Sequence, residues 1–251
     1  MLVNSSTVEI EASRPGGRTA AASAPPVPRM GAYHFNWFLA WQNFPRFYWG
    51  LALGLGLAIV SLFLGSVIGM GGAFARSFGP RWLRLAVASY VEFTRNIPLL
   101  LIVYFAFYGL PRVGITVLNN VWSFVVALSV YAGAYLTEVF RAGVNSVPAG
   151  YTEAGKAIGL APWQRARFIT LPVTFRIILP SLSNTFISLF KDTSLASALA
   201  VPELTYAAEW LNVNTFRTIE AWTFATVMYL IAGYGIAIAL RRVERRYAVI
   251  R

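Results

Sequence analysis

Five stretches of the chain are almost continuously apolar: about 47–74, 85–108, 117–140, 177–200 and 221–240. Each reaches the ~20 residues that carry an α-helix across a bilayer. A membrane barrel needs short segments of alternating polarity instead, and none stands out. The pattern therefore predicts an all-α fold, a polytopic transmembrane helical bundle of about five spans over residues 47–246. Ahead of it, Tyr33, Phe35, Trp37, Phe38 and Trp41 crowd into residues 31–46, which suits the wet edge of a membrane. Residues 1–30, rich in Ala, Ser, Pro, Gly and Arg without an apolar core, read as a disordered N-terminal tail.

The polar positions inside the spans mark candidate chemistry, because ionisable groups in a membrane are costly and tend to face protein or water. Span one instead carries glycines four apart, Gly50/Gly54 and Gly65/Gly69, each pair on one helix face and able to admit a close neighbour. Span two contains Glu92, Arg95, Asn96 and Pro98. Glu92 and Arg95 share a face, and Pro98 cannot donate to the preceding turn, so a kink is expected. A polar path and a simple interfacial pair both fit these two charges. Span three places Tyr131, Tyr135 and Glu138 at i, i+4, i+7, a polar face expected to look inward, although Glu138 with Arg141 also reads as an interfacial pair. Span four is broken by Lys191-Asp192-Thr193-Ser194, the kind of interruption that lines a transport route.

Between spans three and four lies a polar island, residues 148–172. Pro148 and Gly150 break the apolar run, and Thr152 and Glu153 suit the start of a short helix. Gly159 falls where a C-terminal cap is wanted and Pro162 where a second helix starts, so two short helices meet at a glycine elbow. Gly150, Gly155 and Lys156 also have the spacing that opens a phosphate loop. Ala157 stands where that loop needs Ser or Thr, and no strand precedes it.

Only 12% of the 251 residues are charged, against roughly 25% in soluble domains. The net charge of +11 sits in short loops flanking apolar spans, where lipid headgroups explain it, and does not suggest nucleic acid. Without cysteine, and with His34 as the one histidine, the chain has no thiol chemistry and no evident metal centre. Loops on the island's side carry thirteen Lys or Arg, the opposite loops only Arg112 and Arg217, and Arg14, Arg18, Arg29 and Arg46 of the N-terminal segment weaken this bias without reversing it. This asymmetry puts the island and the C-terminus in the cytoplasm and, with five spans, the N-terminus outside.

Glu153-Ala154-Gly155, three residues, Gly159, nine residues, then Ile169-Thr170-Leu171-Pro172 resembles the EAA motif of permease subunits of ATP-binding-cassette importers. Gly155 stands where the family usually has a second alanine, and Tyr151 where a glutamine is common. Arg95-Asn96-Ile97-Pro98-Leu99 and Lys191-Asp192-Thr193-Ser194-Leu195 resemble signatures of the polar amino-acid branch. The resemblance implies that the elbow is a cytoplasmic coupling helix seated on a separate ATPase subunit, with Gly150, Glu153, Ala154, Gly155, Gly159, Ile169, Leu171 and Pro172 as its residues. It implies a bacterial inner-membrane importer with a second permease subunit, identical or homologous, and an extracytoplasmic substrate-binding protein. It also implies no enzyme activity in this chain, ATP being held by the partner. Glu92, Arg95, Asn96, Pro98, Tyr135, Glu138, Lys191, Asp192, Thr193 and Ser194 are the candidates for the substrate path. Lys191, Arg95 and Arg217 lean toward an acidic or amide amino acid. The alternative is a secondary transporter or channel using Glu92, Glu138 and Asp192 without ATP.

Overall fold

The computed structural model describes residues 33–116 and 118–247; the predicted tail 1–30 and the start of the aromatic segment lie outside them. The chain divides into a unit ending at Phe35 and a unit from Asn36 onward. In the first, Tyr33 and Phe35 meet edge to face at 5.2 Å between ring centroids. The second is built of helices: α1 Trp37–Gln42, α2 Phe44–Phe78, α3 Arg81–Asn96, α4 Leu99–Tyr104, α5 Asn120–Asn145, α6 Ala149–Ala157, α7 Pro162–Arg165, α8 Leu171–Asp192, α9 Leu204–Thr215 and α10 Thr218–Tyr247.

α5 is the central helix. Two thirds of its most apolar window is buried (67%), against 28% in α2 and 6% in α10. Its closest neighbour is α2, and the small residues explain why. A Cβ on Gly65 would come 2.7 Å from Ala132 Cβ, and one on Gly69 2.6 Å from Leu136 Cβ, so the two backbones touch along a seam only glycine permits. The other glycine pair serves a different neighbour: a Cβ on Gly50 would meet the Glu203 backbone at 2.7 Å. One apolar core joins Leu57, Val103, Phe124, Leu128 and Leu189 between α2, α4, α5 and α8. A second joins Ala40, Phe47, Leu204, Leu211 and Ala225 between α1, α2, α9 and α10. Within the aromatic segment, Trp41 and Phe44 pack on Phe224 of α10 at 5.5 and 6.3 Å, so it packs against the helical bundle.

Several spans differ from the expectation. The second apolar stretch is two arms: Arg81–Asn96 and Leu99–Val113 meet at 109°. Pro98 has no N–H and holds Ile97 extended (φ −105°, ψ 136°), which turns the expected kink into a sharp corner. Among the described residues, four helices are long and apolar enough to cross a membrane, or five if the bent pair counts as one span. The fourth begins at Pro162 rather than near Ile177 and runs to Leu199. A widened turn over Ala166–Thr170, in which Leu171 N–H reaches the Ala166 carbonyl, precedes Pro172 and accommodates its missing donor. Nor is this span broken at Lys191–Ser194: it tightens into a 3₁₀ helix over Thr193–Leu199. The stretch expected as an outer connection after it contains α9, an amphipathic plug packed on α2 and α10.

Candidate functional site

The elbow is made by local chemistry. α6 starts after Pro148, and no side chain caps it; Thr152 Oγ1 instead donates to the Ala149 carbonyl at 2.8 Å, so Thr152 and Glu153 lie inside the helix rather than at its cap. At the other end, Leu160 N–H donates to the Gly155 carbonyl and Gly159 N–H to Lys156, both at 3.0 Å, with Gly159 left-handed at φ +79°. These bonds form the Schellman closure that satisfies the last carbonyls of a helix. Pro162 opens α7, and Gln164 Oε1 accepts from Ala161 N–H at 2.8 Å. Gly155 is buried under Ile169 and Arg165. Tyr151, Ile158, Trp163 and Phe168 are exposed, Ile158 to 75%. The elbow thus presents an apolar patch beside the exposed Glu153. Leu171 and Pro172 are exposed at the head of α8.

At the stem of the elbow, Glu138 of α5 accepts from Arg76 of α2 and from Arg141 Nη2 at 2.7 Å. This joins the end of α2 to α5 immediately before the chain turns into α6. Glu138 is therefore part of an interhelical ion cluster and does not line the cavity formed by the tyrosines of its own helix.

That cavity lies between α5 and α8. It encloses about 420 Å³ and is walled by Tyr131, Tyr135, Asn184, Thr185, Ser188 and Asp192 with Ala132 and Leu189. Tyr131 Oη donates to Tyr135 Oη at 3.2 Å, and the rings lie 4.9 Å apart. The Arg95 guanidinium sits 5.1 Å from the Tyr135 ring centroid, within reach of its π face. Neither Arg95 nor Asp192 makes an ion pair among the described residues. Asp192 therefore belongs to the cavity wall, while Arg95 is exposed, outside that wall and near the Tyr135 ring. Pro98 stands directly after the corner that ends α3. The other candidates lie elsewhere: Glu92 and Lys191 are exposed and outside the cavity wall, and Asn96 Nδ2 donates to the Glu92 carbonyl at 2.7 Å. Thr193 is buried with its hydroxyl on the Phe190 carbonyl at 2.7 Å, and the Ser194 carbonyl accepts from Ser197. Asn184, Thr185 and Ser188 escaped the sequence reading. The signal was present as polar residues at 181, 184/185, 188 and 192, one stripe on a helix.

Glu203 was also missed as a structural element. It is fully buried and accepts from Thr205 N–H, Tyr206 N–H and Tyr229 Oη, each at 2.8 Å, capping α9 and tying it to α10. Burial pushes its carboxyl up to about 7, with these hydrogen bonds opposing the rise. Arg217, a candidate for a substrate carboxylate, lies 3.6 Å from the buried Glu220.

The sequence matches the family described as binding-protein-dependent transport system inner membrane component over residues 61–249. It is 34% identical over 218 residues to the glutamine transport system permease protein GlnP of Escherichia coli (strain K12), covering 86% of this chain and 99% of that one. To the octopine transport system permease protein OccM of Rhizobium radiobacter it is 36% identical over 205 residues, covering 78% and 84%. The fold is similar to that of a chain in the crystal structure of an amino acid ABC transporter with histidines, with a TM-score of 0.79 at 26% identity, covering 85% of this chain and all of the other.

Proposed function

Because the chain belongs to the family of binding-protein-dependent transport system inner membrane components, a multi-pass transport component working with ATPase and substrate-binding partners, we propose that it carries polar amino acids through the α5–α8 cavity. The observation that carries this reading is the Asp192 carboxylate in the wall beside the Tyr131–Tyr135 pair, with the Arg95 guanidinium 5.1 Å from the Tyr135 ring centroid and neither charge in an ion pair among the described residues. Unpaired charges within membrane spans are costly unless water or a solute meets them. One carboxylate in the wall and one cation beside the Tyr135 ring suit a net-neutral zwitterion. With Lys191 outside the cavity and Arg217 beside Glu220, the preference moves from acidic substrates to amide or hydroxyl side chains.

The elbow seats on the ATPase through Tyr151, Glu153, Ile158 and Trp163, and ATP is bound and hydrolysed there, not in this chain. Two permease copies, or this chain with a homologue, enclose the route. The elbow and C-terminus face the cytoplasm and the N-terminus faces outward, as the loop charges favour. Vesicles carrying the permease, its ATPase and the binding protein test this reading. L-glutamine uptake is expected to require ATP and binding protein and to survive collapse of the proton gradient; uptake driven by that gradient without ATP makes the chain a secondary transporter.

A further inference from the structure

A second cavity of about 340 Å³ opens between α8 and α10 and shares only Asn184 with the wall of the transport cavity. Its polar wall is Ser183, Asn184, Arg241 and Glu244; Ile187 and Leu240 are among its apolar residues. Arg241 lies 23 residues into α10, about 35 Å from its start at 1.5 Å per residue and so beyond the ~30 Å hydrocarbon core. The cavity is thus at headgroup depth, on a helix almost wholly open to its surroundings. Arg241 Nε donates to the Ala237 carbonyl at 3.2 Å, which leaves its terminal nitrogens as donors. Glu244 is half-buried and makes no ion pair among the described residues, although Arg241, Arg242, Arg245 and Arg246 surround it in sequence.

We propose that this cavity binds the headgroup of a phospholipid bearing a primary ammonium, such as phosphatidylethanolamine, with Arg241 on the phosphate, Glu244 on the ammonium and the acyl chains along Ile187 and Leu240. An arginine cluster alone would favour anionic lipid. The carboxylate within it reverses that preference, since beside the phosphate it calls for a cation that donates hydrogen bonds. A trimethylated choline cannot donate them.

The test uses the purified complex of this permease with its ATPase. Dioleoyl lipids with ethanolamine, choline or glycerol headgroups are titrated in, and retained lipid is read by native mass spectrometry alongside the unfolding midpoint. The ethanolamine lipid is expected to bind about threefold more tightly than the other two, the scale of an exposed ion pair. Glu244→Gln should bring it level with the choline lipid, and Arg241→Gln should weaken all three lipids alike, since each carries the phosphate. Equal binding of all three lipids overturns the proposal, as does an unchanged ethanolamine preference in Glu244→Gln. Displacement of the lipid by millimolar L-glutamine also overturns it, because the cavity then belongs to the transported solute.

Discussion

A Cβ on Gly155 would come 2.6 Å from Ile169 Cδ1, so α6 and the widened turn that leads into α8 touch across the elbow. If the elbow couples to an ATPase as proposed, this contact is where its motion enters the span walled by Ser188 and Asp192. Ile169 Cδ1 is the far end of a flexible side chain, so Gly155→Ala is expected to leave coupling near normal. Gly155→Val should swing α6 outward and lower binding-protein-stimulated ATP hydrolysis in vesicles.

Gly159→Val acts on the backbone itself. At φ +79° a β-branched residue costs about 1–2 kcal/mol and re-aims α6. The expected outcome is a permease that inserts normally while the ATPase detaches or loses its response to loaded binding protein. Glu153→Lys should act in the same direction. Normal co-purification and normal stimulation in Gly159→Val would reduce the elbow to a connector.

The cavity separates two adjacent residues. Asp192→Asn and Arg95→Gln should each cut L-glutamine uptake by about tenfold or more, the scale of losing one charged hydrogen bond. Lys191→Gln, outside the cavity wall, should transport within about twofold of wild type, as surface changes do. Equal losses at all three positions would mean that the pair Lys191-Asp192 acts as a unit and the cavity assignment is wrong.

Glu138 holds two arginines at once. Glu138→Ala leaves Arg76 and Arg141 facing each other without their anion, and for a partly buried cluster this should cost about 1–3 kcal/mol. The expected readout is a lower unfolding midpoint for the purified complex. Adding Arg76→Ala to Glu138→Ala should recover part of the loss.

For Glu203 the folded carboxyl lies at about 7, above its ordinary 4.5. A group raised on folding contributes stability below the unfolded value and loses it as pH rises through the folded one. The unfolding midpoint of the wild type relative to Glu203→Ala should therefore fall between pH 4.5 and 7 and level off above. A relative midpoint that rises over this window would show the hydrogen bonds from Thr205, Tyr206 and Tyr229 outweighing burial.

Much of the protein was legible in the chain because its signals are local. Apolar length declares the spans, and Gly159 and Pro162 mark the elbow because a left-handed cap and a first-turn proline are properties of one residue's own dihedrals. Glycines four apart announce a close seam without naming its partner. What tertiary structure decided is every question of direction. Lys191 and Asp192 are neighbours in sequence but about 100° apart around a helix, and only the position of α5 makes one of them a cavity wall. Pro98 predicts a bend, whereas the 109° corner depends on where α4 packs. Asn184, Thr185 and Ser188 form a stripe whose meaning depends on facing Tyr131 and Tyr135, and Arg95 meets Tyr135 across 40 residues of chain. Glu203 is buried only because α2, α9 and α10 close over it. Local chemistry is set by a residue and its neighbours in sequence; burial and pairing are set by the residues that distant segments bring to the same place.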